Sequence, residues 1–136
     1  MNDSEYSSKI DMIGSIGNLE PKDGNIGIFV PSMERDGTPL DHEKWRSDTI
    51  HLMSSLFGGA TAFEGFGGWL DEEQGNKVKS EAISVVVSFI TASELTEKKK
   101  DCLKKYLHKM GREAKQGEIG YLLNGIFYRI KDFENE

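Results

Sequence analysis

Apolar residues alternate with polar or small ones along some stretches of this chain and recur at helical spacing along others. Ile26, Ile28 and Val30 alternate with Gly27 and Phe29, which predicts a strand apolar on both faces. Pro31 ends it, and Asp36-Gly37 is a turn signal. Asp41 is placed to cap a helix, with Leu40 before the cap and Trp45 after it as a hydrophobic staple. Trp45, Thr49, Leu52, Met53 and Leu56 share one helical face, and Gly58 stops the helix in the left-handed conformation. Residues 61–70 predict a second strand, rich in glycine at Gly65, Gly67 and Gly68. Glycine weakens a strand unless backbone or ligand needs the room.

After a polar turn over 71–76, the stretch 78–89 is the strongest strand pattern. Ile83, Val85, Val87 and Phe89 form its apolar face, expected against helices; Ser84, Val86 and Ser88 form a half-apolar one. Thr91 and Glu94 predict a capping box opening a second helix. Leu95, Cys102, Leu103, Tyr106, Leu107 and Met110 trace its buried face, and Gly111 is expected to end it. Residues 119–123 and 126–130 flank Asn124-Gly125, a strong hairpin signal. The order β-α-β-β-α-β with one extra strand predicts a ferredoxin-like α+β sandwich: an antiparallel sheet with both helices on one face. The expected organisation is an N-terminal arm over 1–25, one domain over 26–131 and a short acidic tail over 132–136. Within the arm, Ile10, Ile13 and Ile16 support at most one helical turn.

Composition narrows the function classes. The 136 residues suit one domain with a modest core. No apolar run is long enough to span a bilayer, and no basic start precedes an apolar segment, so a cytoplasmic, membrane-free protein is expected. A single cysteine, Cys102, excludes an intramolecular disulfide, and no cysteine–histidine cluster suggests a metal. The net charge of −6 argues against a nucleic-acid polymer as partner. Lys98, Lys99, Lys100, Lys104 and Lys105 are mixed with Glu94, Glu97 and Asp101, as on a solvated helix face.

Candidate chemistry concentrates in the turn 111–118. Arg112 carries a planar fork of donors suited to a carboxylate or phosphate, and Gln116 adds an amide that donates and accepts. Against this stands a structural role in which Arg112 pairs with Glu81 or Glu118. Glu64, Glu81 and Glu118 offer a carboxylate set on neighbouring strands, though nothing in their spacing brings them together. The segment Gly58-Gly59-Ala60-Thr61 presents backbone N–H groups, but it follows a helix C-terminus, so a helix stop with strand entry is the better reading. His42, His51 and His108 are scattered, and no nucleophile–base pair follows from their positions. Trp69, Phe66, Phe63, Tyr121, Phe127 and Tyr128 exceed what one covered sheet face needs; alternation places Phe63 and Trp69 on one face and Phe66 on the other, and the set suits stacking or a dimer interface.

Phe57-Gly58-Gly59-Ala60-Thr61 leading to Gly67-Gly68-Trp69, then Glu81, then 110–118 leading to 124–130, resembles segments shared by a group of short bacterial and phage proteins. The resemblance runs over roughly 28–130, with Ala114-Lys115 departing from the small polar pair expected there. It implies the fold and a bacterial or phage origin, and no particular activity. The leading expectation is a dimeric, non-enzymatic binding module for a small anionic or nucleotide-like ligand. Its candidate site is Arg112, Gln116, Glu118, Trp69, Gly67, Gly68, Thr61 and Glu81, with no cofactor, no metal and no catalytic residue assigned. The alternative is a small acidic interaction protein, an immunity protein or inhibitor, covering a protein partner. A third is an enzyme with Glu81 or Glu118 as general base and Arg112 holding an oxyanion.

Overall fold

The computed structural model of the chain describes residues 16–135. The helical turn considered for Ile10 and Ile13 lies outside the described residues. Among the described residues, five strands, β1 (Gly24–Val30), β2 (Thr61–Asp71), β3 (Lys77–Ile90), β4 (Ile119–Leu123) and β5 (Ile126–Ile130), form one sheet in the order β2-β3-β1-β4-β5. Every neighbouring pair is antiparallel. Two α-helices among the described residues, α1 (His42–Phe57) and α2 (Glu97–Glu113), cover one face. This is the ferredoxin-like arrangement, extended by β5 at one edge.

The local signals act largely as the residues dictate. The Asp41 side chain accepts from the Lys44 N–H and opens α1; Gly58, at φ 91°, closes it. Trp45, Thr49, Met53 and Phe57 are the buried positions of α1. Trp45, Met53 and Phe57 meet Ile26, Ile28 and Val30 of β1 and Val86 of β3 in one core. Asn124 and Gly125, both at positive φ, make the tight turn between β4 and β5.

Three expectations are corrected. The face of β3 beneath the helices is the one carrying Ser84, Val86, Ser88 and Ile90, all buried, while Ile83, Val85, Val87 and Phe89 lie on the open side. The serines are tolerated there because their hydroxyls are paired, Ser84 with Glu64 and Ser88 with the Gly59 carbonyl. The Thr91–Glu94 capping box exists, but it opens a 3-10 turn (Ala92–Glu94); α2 itself is capped by Thr96, which accepts from Lys99 N–H. Gly111 does not end α2, which runs on to Glu113. The glycine is needed for another reason: a Cβ there would lie 2.3 Å from the Phe133 ring. The tail beyond β5 folds back over that gap.

Beyond Val30, the β2–β3 hairpin continues without a third strand. β1 pairs with β3 only as far as Ser84, whereas β2 and β3 stay paired out to Asp71↔Lys77. Phe66, Trp69, Leu70 and Val78 sit on this projecting arm and are exposed.

Candidate functional site

At the end of β1 the chain leaves the sheet through Pro31, Ser32 and Met33, and this short segment organises the site. Glu81, on β3 where the arm begins, turns its carboxylate onto it. Oε2 of Glu81 accepts from the Ser32 backbone N–H at 3.0 Å, the Met33 N–H at 2.9 Å and the Ser32 hydroxyl at 3.2 Å. All three bonds fall on one oxygen. From the other side, Gln116 Nε2 donates to the Met33 carbonyl at 2.7 Å and to the Ala114 carbonyl at 2.9 Å. The Arg35 N–H donates to the Lys115 carbonyl, tying the same segment to the turn before β4. Glu81 and Gln116 are therefore brought together through Ser32 and Met33.

The glycine–aromatic strand lies alongside. Gly67 pairs with Glu81, Gly68 with Ser80 and Trp69 with Lys79 across the β2–β3 ladder. The room over Gly67 is taken by Ile83, since a Cβ there would meet Ile83 Cγ1 at 3.1 Å. Lys79 is held by Asp71 at 3.4 Å, and Arg35 reaches Glu73 at 3.3 Å.

The other predicted residues stand elsewhere. Arg112 donates to the Glu134 carbonyl, on the side of α2 where the tail docks, and meets neither Glu81 nor Glu118. Glu118 faces Arg129 at 3.7 Å. Thr61 begins β2 opposite Val87, six residues from Gly67 and so about 20 Å away at a strand's rise. Glu64, Glu81 and Glu118 do not form a set: each has its own partners. No group of three or more potential metal ligands occurs among the described residues.

A second polar cluster was invisible in the sequence. His42, the first residue of α1, places Nδ1 2.9 Å from the Pro31 carbonyl and Nε2 2.7 Å from Ser84 Oγ. The Ser84 hydroxyl donates to Glu64 Oε2 at 2.6 Å, and Arg46 holds Glu64 Oε1 at 3.1 Å. The Ser84 hydroxyl, helped by Arg46 and His42, holds the Glu64 carboxyl below the usual carboxylate range against the cost of desolvation. This is not a nucleophile triad, because the imidazole leans on a backbone carbonyl and Ser84 is fully buried. Proximity in sequence gave no sign of it; only the register that sets Glu64 opposite Ser84 creates it.

With this geometry in view, the comparisons with known proteins bear on the fold. The sequence matches no known family profile and no curated protein. Among solved structures, the chain is similar to a phage SAM lyase in complex with S-methyl-5'-thioadenosine, at a TM-score of 0.62 and 16% identity, over 89% of this chain and 98% of that one. It is also similar to a phage SAM lyase in the apo state, at a TM-score of 0.54 and 16% identity, over 88% and 100%. The shared fold spans nearly the whole of each chain.

Proposed function

We propose that this protein binds a small nucleotide-like molecule of the S-methyl-5'-thioadenosine kind at the Glu81 end of the sheet, and that it cleaves the corresponding sulfonium, SAM. The observation that carries the reading is the Glu81 carboxylate, half-buried and held by three donors through Oε2 alone. That arrangement fixes its position and turns Oε1 to a cationic ligand group such as an ammonium. The end-to-end likeness in fold to phage SAM lyases supports the same ligand class. Trp69, on the adjoining strand, offers a face to an adenine ring. Gln116 offers its amide oxygen to a polar edge, its nitrogen being taken by the Met33 and Ala114 carbonyls.

The chemistry asks little of a protein. The carbon–sulfur bond on the amino-acid side breaks, its electron pair goes to sulfur, and the thioether leaves uncharged. The substrate's own carboxylate oxygen closes onto the carbon, so no water, external base or cofactor enters. A step that destroys charge is favoured where water is thinned by apolar walls. Glu81 then acts by binding and orienting the substrate rather than by taking a proton. We include in this reading a homodimer formed through the open face of the sheet, where Phe63, Phe89 and Phe127 are each more than half exposed.

Calorimetry with S-methyl-5'-thioadenosine and with SAM, together with chromatography of SAM incubations, tests the proposal. Binding of both and release of the thioether are expected, with Glu81→Gln weakening SAM binding by about tenfold, the loss of one charge-assisted contact. A wild-type protein that binds neither compound overturns the reading.

A further inference from the structure

The two polar clusters are joined by one peptide group. His42 Nδ1 lies on the Pro31 carbonyl, and the N–H of that same Pro31–Ser32 peptide donates to Glu81 Oε2. Hydrogen counting sets the direction of every bond. A carbonyl only accepts, so Nδ1 carries a proton and donates to Pro31. The Ser84 hydroxyl has one proton, and the ionised Glu64 carboxylate 2.6 Å away takes it. The second imidazole nitrogen, 2.7 Å from the same hydroxyl oxygen, must then donate too. His42 is thus an imidazolium in this arrangement. Glu64 from β2 stands 3.8 Å from it and balances its charge. Arg46, one turn along α1, occupies the other Glu64 oxygen. Ser84 from β3 and the Pro31 carbonyl complete its surroundings.

We propose that His42 is a positioning residue for Glu81, acting through the Pro31–Ser32 peptide. This rests on the reading of Glu81 as the ligand-holding carboxylate. An imidazolium on the carbonyl polarises the peptide and makes its N–H a stronger donor, because hydrogen bonds in series reinforce one another. The Glu81 carboxylate is held more firmly while His42 carries its second proton, and its grip loosens when that proton leaves. No proton travels along the chain; what passes is polarisation. His42 and Glu81 never touch, so the protonation of α1's first residue tunes a carboxylate on the far side of a peptide group.

The test uses the full chain. In wild-type protein followed by NMR against pH, the Ser32 amide signal should move with the His42 ring signals, and the Met33 amide, which belongs to a different peptide, should move less. In His42→Asn, whose amide nitrogen stands where Nδ1 stood, the Ser32 amide should no longer titrate. Affinity for SAM should fall about tenfold in His42→Ala, fall less in His42→Asn, whose neutral amide keeps the donor but not the charge, and fall as in the alanine variant in His42→Gln, whose amide reaches toward Ser84 instead. A Ser32 amide indifferent to His42, or an asparagine variant no better than the alanine one, overturns the proposal. If the wild type binds no ligand, the functional reading fails, and the amide titration alone decides whether His42 tunes Glu81.

Discussion

At the scale of single residues, the chain's chemistry is set by which side chains share an oxygen. Glu64 shows the consequence. Its folded carboxyl is held below its ordinary value, first by the Ser84 hydroxyl and then by Arg46 and His42. A depressed carboxyl contributes stability above its unfolded titration range, and that contribution is lost as pH falls through its folded value. Thermal melts from about pH 7 down to about pH 3 should therefore show wild type losing stability on acidification. Glu64→Gln should melt lower at neutral pH and lose less on the way down; parallel curves for the two proteins would contradict the assignment. Glu64 is solvent-exposed, so the effect is screened and modest. Glu81 was legible as a candidate from its place at the start of an apolar strand. Its partners were not, because Ser32 and Met33 read as ordinary loop, and the backbone N–H groups that hold it carry no sequence signature. The carbonyl that Arg112 meets was not legible either, because only the returning tail brings Glu134 to its guanidinium.

At the scale of elements, the turn chemistry was readable and the packing partners were not. Asp41, Gly58 and Asn124-Gly125 act where their residue types place them. Gly111 reads as a helix stop yet lies inside α2, because Phe133, more than twenty residues later, packs onto it and beside His108. The His108 Nδ1 accepts from the Glu134 N–H, which fastens the same tail. Two opposing effects meet at this position. Alanine in place of glycine favours a helix interior by about 1 kcal/mol, while overpacking against an aromatic ring costs about 1–3 kcal/mol. Gly111→Ala should lower stability in urea denaturation by up to about 2 kcal/mol. In a Phe133→Ala background the same change should stabilise, since the clash is gone and the helix preference remains. Destabilisation of equal size in both backgrounds would rule out the ring as the cause. The inverted faces of β3 have a similar origin. Alternation identified the two sets of residues, but serines whose hydroxyls are paired fit under helices as well as valines do.

At the scale of the whole molecule, the element order made the fold legible, since two split βαβ units leave few antiparallel solutions. What it left open is the uncovered side of the sheet. Antiparallel sheets with one solvated face normally present polar residues to water. This one presents Phe29, Val85 and Val87 half-buried and Phe63, Phe89 and Phe127 exposed, with Phe127 packed edge-on against Phe29 over Gly120. The projecting β2–β3 arm adds Trp69 to this face and exposes Phe66 and Leu70 on its other face, and a two-stranded ribbon is marginal alone in water. A charged group on this face costs the single chain little, because the side chain stays in solvent, but it costs an assembled face heavily, because it is buried unpaired. Sedimentation of the wild type should accordingly reveal a species larger than one chain, and Phe63→Lys combined with Phe89→Lys should return it to one chain with helical circular dichroism unchanged. A wild type that sediments as a single chain at its highest soluble concentration would remove self-association through this face.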